Sequence, residues 1–149
     1  MAIELACAIE FTPEEQAWIN ANPIIKVGGE TDWAPFDFAD AEGRHTGIVA
    51  DYLDLVSART GLQFEVRLDF FSNLVSALDS GDIDLLPATY FSEERASRLN
   101  FTSKYHQVKN YVFARTDVEV DRTLSGKTVA MVKGFFGTIA TLKEAYPGY

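Results

Sequence analysis

The sequence predicts an α/β fold in which parallel strands alternate with helices. Three apolar segments have the length and spacing of strands, at residues 24–28, 63–68 and 83–86, and two segments with helical spacing separate them. Connections of this length between successive strands normally give a parallel sheet with right-handed crossovers. At 149 residues, 47% of them hydrophobic and 13% aromatic, the chain can bury a core of its own.

A first helix is predicted to begin after Thr12. Residues 12–15, Thr-Pro-Glu-Glu, combine an N-cap threonine, a proline at the first helical position and a glutamate three residues after the cap, which is the pattern of a capping box. We expect the helix to extend to about Ala21, because the Asn-Pro pair at 22–23 then interrupts it. After the first strand comes a predicted loop, residues 30–38, with aromatic side chains around a proline.

The second and third helices are each predicted to end at a glycine. Apolar residues recur at helical spacing between Gly47 and Gly61, and again in a shorter segment that ends at Gly81. Between these helices, residues 63–68 alternate polar and apolar side chains with a period of two, as a half-buried strand does. The resulting order is strand, helix, strand, helix, strand.

Residues 82–105 have the features of a seat for a small anion. They run from the third strand through a polar turn into a short helix, which Ser92 is placed to cap. Arg95, in the first turn of that helix, offers a planar fork of donors that can hold a carboxylate with two parallel hydrogen bonds. The alternative is a surface arginine that pairs with Glu93 or Glu94.

Two predicted loops leave the carboxyl ends of strands, at residues 29–38 and 87–92. Ligands of open α/β sheets bind at these ends. Trp33 lies in the first loop beside a proline and acidic residues, so we expect it to line a ligand cleft rather than pack in the core.

Beyond Tyr105 the sequence predicts an unfinished second α/β unit. An extended run at 107–114 precedes a strand at 127–132, and a helix follows at 138–146. One strand and one helix bury little surface alone, so we expect a truncated second lobe or pairing with a second copy. The predicted parts are 1–11, an arm or leader remnant with Ala-Cys-Ala at 6–8; 12–112, the first lobe with a crossing strand; and 113–149, the hinge and the start of the second lobe.

Charge and motif content exclude several classes of function. A formal charge of −9 argues against nucleic acid and anionic membranes as partners, because both bind basic surfaces. No apolar stretch of the sequence has the ~18 residues of a membrane span. The two histidines, His45 and His106, lack neighbours at metal-ligand spacing and are interpreted as solvated surface residues. We therefore expect no catalytic residue, no metal and no cofactor.

Seven segments, in order and at matching spacing, resemble family 3 of the bacterial extracellular solute-binding proteins. The resemblance extends from about residue 12 to the end of the chain. The opening segment, in which a helix precedes the first strand, looks most like the periplasmic Venus-flytrap sensor domains of hybrid histidine kinases and diguanylate cyclases. The matching segments are 12–28, 32–38, 47–53, 81–88, 92–95, 101–105 and 124–130.

The resemblance implies a type 2 periplasmic-binding-protein fold, in which two lobes close on a small solute around a hinge of crossing strands. The first lobe is expected to be complete or nearly so, and the second incomplete. Arg95 matches the arginine that binds the α-carboxylate in amino-acid-binding members, whereas Phe135 is equally compatible with core packing. The ligand contacts implied by the resemblance are Trp33, Phe36, Thr89, Tyr90, Arg95, Phe135 and Thr138.

The function implied by the resemblance is binding of a small solute by the sensory input domain of a membrane-bound signalling protein with a kinase or cyclase module. The expected ligand is an amino acid or another small carboxylate. The expected location is the periplasm, with a tether to the inner membrane, and a homodimer is compatible with the sequence. Two alternatives stay open: a soluble transport protein for amino acids, and an enzyme or enzyme-associated module on the same scaffold, such as a cyclic-acid dehydratase or a lytic transglycosylase.

Overall fold

The chain divides into two compact units, Met1–Thr89 and Tyr90–Tyr149, which are described separately. The boundary predicted after residue 112 marks an expected hinge between two lobes, whereas this division marks compact units. The hinge therefore stays a prediction. The computed structural model describes residues 9–109, 111–119, 123–124, 126–131 and 142–146. Its helices and strands are α1 (Pro13–Ala21), β1 (Ile24–Glu30), β2 (Asp32–Trp33), β3 (Asp37–Ala39), β4 (His45–Thr46), α2 (Ile48–Thr60), β5 (Gln63–Asp69), α3 (Phe71–Ser80) and, in the second unit, α4 (Glu93–Ala96).

Helix α1 begins and ends where the sequence predicts. The capping box is present, since Glu15 N donates to Thr12 Oγ1 at 3.2 Å and Thr12 N donates to Glu15 Oε2 at 2.8 Å. The helix ends at Ala21, and the N–H of the capping residue Asn22 donates to Trp18 O at 2.9 Å. No residue of α1 is buried, so local contacts such as the cap carry much of the order of this helix.

Strands β1 and β5 form the parallel pair that the sequence predicts. Ile24 lies opposite Gln63 at one end of the register, and Glu30 lies opposite Asp69 at the other. Side chains of β5 alternate between exposed and half-buried along most of the strand, as its period-two pattern indicates. The carboxyl ends of both strands therefore meet at one edge of the sheet, beside Glu30.

The third predicted strand, residues 83–86, is wrong in extent. It pairs with β1 through one parallel bridge, between Val27 and Leu85. The carboxylate of Asp84 accepts the N–H of Lys26 at 2.9 Å. The N–H of Lys26 in β1 is therefore bonded to a side chain, whereas a longer strand at 83–86 would bond it through a main-chain carbonyl.

Among the described residues of the first unit, two apolar clusters form the core, one on each face of β1. Val27 packs against Val49 and Leu53 of α2. A side chain at the next residue, Gly28, would meet Leu74 Cδ2 of α3 at 3.1 Å. Because successive residues of a strand point to opposite faces, α2 and α3 cover opposite faces of the sheet.

The segment between β1 and α2, of which residues 30–38 were predicted as a loop, contains the short antiparallel strands β2, β3 and β4. β3 pairs with both of the others, and Ala39 lies opposite His45. The side chain of Asp40 closes the turn between β3 and β4, because it accepts the N–H of Arg44 at 2.8 Å. The loop predicted at 30–38 is therefore wrong for five residues, Glu30, Asp32, Trp33, Asp37 and Phe38, which lie in strands.

The second unit begins with a polar turn and helix α4, as predicted. Ser92 caps this helix, and Arg95 N donates to Ser92 Oγ at 3.2 Å. The rings of Phe91 and Phe101 meet edge to face, with centroids 5.3 Å apart. The Ser92 cap thus fixes the start of the helix, and the ring contact joins the residue before the cap to a residue beyond the end of the helix.

The strand predicted at 127–132 does not occur among its described residues, 127–131, and no described residue of the extended run at 107–114 belongs to a strand. A strand requires a hydrogen-bonded neighbour, and none pairs with these segments in the described part of the unit. Of the helix predicted at 138–146, residues 142–145 are helical and 138–141 lie outside the described residues. Within the described ranges, no helix has the length and apolar character needed to cross a membrane.

Candidate functional site

Five of the seven predicted ligand contacts fall on described residues. Trp33, Phe36 and Thr89 belong to the first unit, and Tyr90 and Arg95 belong to the second. The remaining two, Phe135 and Thr138, lie outside the described residues.

Trp33 and Phe36 form an aromatic pair at the start of the hairpin that follows β1. Their ring centroids lie 5.2 Å apart, with the ring planes tilted by 47°. Both side chains are half-buried. The pair presents an apolar surface at the carboxyl end of β1, where ligands of α/β sheets bind.

The first turn of α2 holds this aromatic pair in place. Val49 N donates to Phe36 O at 2.9 Å, and Ile48 N donates to Pro35 O at 3.2 Å. These N–H groups belong to the helix start, where they have no partner within the helix. The loop that carries the aromatic rings is therefore bound to a rigid element by its main chain.

Gly47 makes this close approach possible. Its φ is +110°, and a Cβ at this position would lie 2.7 Å from Phe36 O. Glycine is the residue that combines this backbone conformation with such a short distance to a neighbouring main chain.

Two buried threonine hydroxyls lie just past the ends of strand segments. Among the described residues, neither Thr31 Oγ1 nor Thr89 Oγ1 has a hydrogen-bond partner. Buried hydroxyls without a partner are uncommon in folded proteins and favour a functional explanation. Thr89 is one of the predicted ligand contacts, whereas Thr31 was not predicted; its position directly after a buried strand is the feature that points to it.

Arg95 and Tyr90 are connected within the second unit. Arg95 NH1 donates to Tyr90 O at 2.9 Å, and the arginine is half-buried. Burial lowers the pKa of the Arg95 guanidinium, as does the positive charge of Arg98, whereas Glu94 acts in the opposite direction. Burial also raises the pKa of the Tyr90 phenol. The main-chain carbonyl of Tyr90 therefore holds the guanidinium against the turn. A surface arginine that pairs with Glu93 or Glu94 would not require this hydrogen bond.

A buried polar cluster at the base of the hairpin was missed by sequence reasoning. His45 Nε2 lies 2.6 Å from Asp37 Oδ1; Asp37 is buried, and the His45 side chain is 10% exposed. The interpretation of His45 as a solvated surface residue is therefore wrong, because Asp37 satisfies the polar atom that burial removes from water.

Glu30 belongs to the same cluster and is 5% exposed. Burial, followed by the negative charges of Asp37 and Asp32, raises the pKa of Glu30 from an ordinary 4.5 to about 7. A glutamate directly after a buried Val-Gly-Gly strand, with no neighbouring cation in the sequence, was the signal that could have identified this group.

The described residues contain no group of three or more histidine, cysteine, aspartate or glutamate side chains that could hold a metal ion. The second unit has an open apolar groove of about 530 Å³, lined by residues 111–115 and 127–131. Phe113 in its wall is 90% exposed. None of the five described ligand candidates lines this groove.

Comparison with known proteins identifies relatives along nearly the whole chain. BvgS, a virulence sensor protein of Bordetella pertussis, is 32% identical over 142 residues, which cover 92% of this chain and 11% of BvgS. The sensor protein EvgS of Escherichia coli is 26% identical over 141 residues, covering 93% of this chain and 12% of EvgS. A probable histidine-binding protein of Campylobacter jejuni is 27% identical over 119 residues, covering 77% of this chain and 46% of that protein.

The crystal structure of the BvgS periplasmic domain of B. pertussis matches 98% of this chain with a TM-score of 0.83 at 32% identity, and this chain covers 29% of it. The match confirms the predicted α/β, periplasmic-binding-protein-like fold. The chain spans about a tenth of the length of the two sensor proteins. The model of the bacterial extracellular solute-binding proteins, family 3, matches residues 25–145. The chain therefore belongs to the bacterial extracellular solute-binding proteins, family 3.

Proposed function

We propose that this chain is a solute-binding Venus-flytrap domain that serves as a sensory input of a membrane-bound signalling protein. The observation that carries the proposal is the similarity to the BvgS periplasmic domain over 98% of the chain at a TM-score of 0.83. A solute would act by its different affinities for two conformations of the domain and would thereby shift their populations. The corresponding location is the periplasm, with a kinase or cyclase module in the same protein.

The proposed ligand is an amino acid or another small carboxylate. A carboxylate removed from water needs charge-assisted donors, and the half-buried guanidinium of Arg95 is the proposed donor. Trp33 and Phe36 are proposed as aromatic contacts, with Thr89 and Tyr90 as polar ones. Phe135 and Thr138 remain predictions from the sequence. The similarity to a probable histidine-binding protein supports a ligand of this class.

A soluble amino-acid transport protein is the second candidate. The similarity to the histidine-binding protein of C. jejuni favours it, because there the match covers 46% of the relative rather than about a tenth. The location of the full-length protein separates the two candidates. A sensor fractionates with the inner membrane, whereas a soluble binding protein is released by osmotic shock.

A thermal-shift screen of the protein against amino acids and small organic acids tests solute binding. A ligand that binds the native state raises stability by RT ln(1 + [L]/Kd), so a hundredfold excess over Kd contributes about 3 kcal/mol. Calorimetric titration with the best hit is then repeated on Arg95→Ala, with Arg98→Ala as the matched control on the same turn. We expect Arg95→Ala alone to abolish binding. An unchanged affinity would assign Arg95 to a structural role.

The signalling part of the proposal has its own test. Autophosphorylation or cyclase activity of the full-length membrane protein is measured with and without the solute that the screen identifies. A change that Arg95→Ala eliminates supports sensory input. Solute binding without any membrane-associated activity would overturn the sensor proposal and favour transport.

A further inference from the structure

The buried cluster of Glu30, Asp37 and His45 lies at the base of the segment that carries the aromatic pair. A Cβ at Gly29 would lie 3.0 Å from His45 Cδ2 and 3.1 Å from His45 Nε2, so the imidazole packs against β1 at Gly29, the residue before Glu30. Asp37 is 1% exposed and Glu30 is 5% exposed. The two carboxyls thus have little access to water, and the charge of Asp37, which contacts His45, acts on Glu30.

The cations on the elements around Glu30 are Lys26 of β1, Arg44 of the hairpin, Arg59 of α2 and Arg67 of β5. Arg44 pairs with Asp40 and Glu42, and Arg67 lies 3.4 Å from Asp69. Asp69, opposite Glu30 on β5, is itself bonded to Asn73 at 2.7 Å and to Arg67 at 3.4 Å. On the segment after α3, Asp84 is bonded to Lys26 N. The charged residues of α2 and α3 that are exposed to solvent are Asp51, Asp54, Arg59 and Asp79.

The charges that act on Glu30 are therefore mainly negative. Asp37 and Asp32 both disfavour its ionised form, and burial disfavours it more strongly, which is why its pKa lies at about 7. Proton uptake removes one of three nearby negative charges and converts Glu30 into a hydrogen-bond donor.

The main chain transmits such a change to the aromatic pair. Asp32 directly precedes Trp33, and Asp37 directly follows Phe36. Trp33 and Asp37 also lie opposite each other in the pairing of β2 with β3. A change in charge at the base of the hairpin therefore acts on the residues that hold both rings.

We propose that Glu30, with Asp37 and His45, forms a proton-binding site that makes the conformation of the segment 31–46 depend on pH. This inference goes beyond solute binding, because the proton itself is the ligand and no other molecule is required. The proton moves between solvent and a Glu30 carboxylate oxygen, and the Asp37–His45 pair keeps the hairpin closed in both states.

Trp33 is a direct reporter for this site. The chain has two tryptophans, Trp18 and Trp33, so Trp18→Phe leaves the fluorescence of Trp33 alone. In this background we expect the emission to change between pH 5 and pH 9 with a midpoint near pH 7. Glu30→Gln, which keeps the side-chain shape but cannot ionise, abolishes the transition. Glu65→Gln, an exposed carboxyl on β5, retains it.

Two outcomes overturn the proposal. One is an emission that does not change over this pH range, and the other is a transition that persists in Glu30→Gln, which assigns it to another group. If Glu30→Gln fails to fold, carbon-detected NMR titration of the side-chain carboxyls of the full chain decides the question. A Glu30 carboxyl that titrates between pH 6 and pH 8 supports the site, and one that titrates near 4.5 refutes it.

Discussion

His45 Nε2 lies 2.6 Å from Asp37 Oδ1, and the two side chains retain 10% and 2% exposure. The two residues sit on neighbouring strands, because β3 pairs with β4 and His45 lies opposite Ala39. The side-chain contact therefore closes the same hairpin that the main-chain hydrogen bonds close. The imidazole also packs against β1 at Gly29.

His45→Ala is expected to destabilise the first unit by about 3 kcal/mol, because it leaves the buried carboxylate of Asp37 without its partner. Urea unfolding followed by circular dichroism measures the change. His106→Ala is the matched control, since His106 is exposed. Equal stability of the two variants would show that the Asp37–His45 contact contributes nothing measurable.

Gly47→Ala should destabilise the protein by several kcal/mol. The new methyl group would lie 2.7 Å from Phe36 O, and alanine would have to adopt a φ of +110°. Gly43→Ala is the control, because Gly43 has a φ of +78° but a Cβ there meets nothing within 4 Å. In Gly43→Ala the free energy of unfolding should fall only by the cost of the positive φ, about 1 kcal/mol.

Thermal unfolding of both glycine variants separates the two effects. We expect the melting temperature to fall much more for Gly47→Ala than for Gly43→Ala. In Gly47→Ala the Val49 amide should also exchange its hydrogen faster, since this amide donates to Phe36 O. Similar losses for Gly47→Ala and Gly43→Ala would mean that strain at φ, rather than contact with the Phe36 carbonyl, sets the cost.

Features with short-range causes were predictable from the sequence. The capping box at Thr12 and the helix ends at Gly61 and Gly81 depend on residues within one turn of the helix. Both glycines adopt a φ of +78°, the left-handed conformation expected of a glycine after a helix. The parallel pairing of β1 with β5 followed from the order of the elements and the lengths of their connections.

Features that depend on burial were not predictable in the same way. Asp37 and His45 are eight residues apart, and their contact exists because a hairpin brings them together on the surface of β1. The raised pKa of Glu30 requires knowledge of its desolvation. The single bridge at Leu85 depends on a side chain, Asp84, that replaces a main-chain partner.

Thr12→Ala is expected to fray helix α1 without unfolding the first unit. The loss of an N-cap threonine costs about 1 kcal/mol, and no residue of α1 is buried, so the cost is confined to the helix. The amide of Glu15, which donates to Thr12 Oγ1, should exchange roughly fivefold faster. Glu14→Gln is the control in the same turn. A fall in the urea midpoint of the whole unit would show instead that α1 is coupled to the core.

Glu30 should make the stability of the first unit fall as pH rises from 5 to 8. The folded protein keeps a proton at Glu30 up to a pKa of about 7, whereas the unfolded chain releases it near 4.5. Between these values the folded state binds more protons, so the free energy of unfolding decreases with pH and levels off above pH 7. The full difference corresponds to ~3 kcal/mol.

Comparison of wild type with Glu30→Gln isolates this effect from the other carboxyls. Hydrogen bonds hold the pKa values of Asp40 and Asp69 below their ordinary range, so their contributions are lost only as the pH falls below about 4. Between pH 5 and pH 8, urea unfolding should show the wild type losing stability relative to Glu30→Gln, while Glu65→Gln follows the wild type. Parallel curves for wild type and Glu30→Gln would mean that Glu30 titrates near its ordinary pKa in the folded protein. In that case the buried cluster would serve packing of the hairpin rather than proton binding, because its charge would not change near neutral pH.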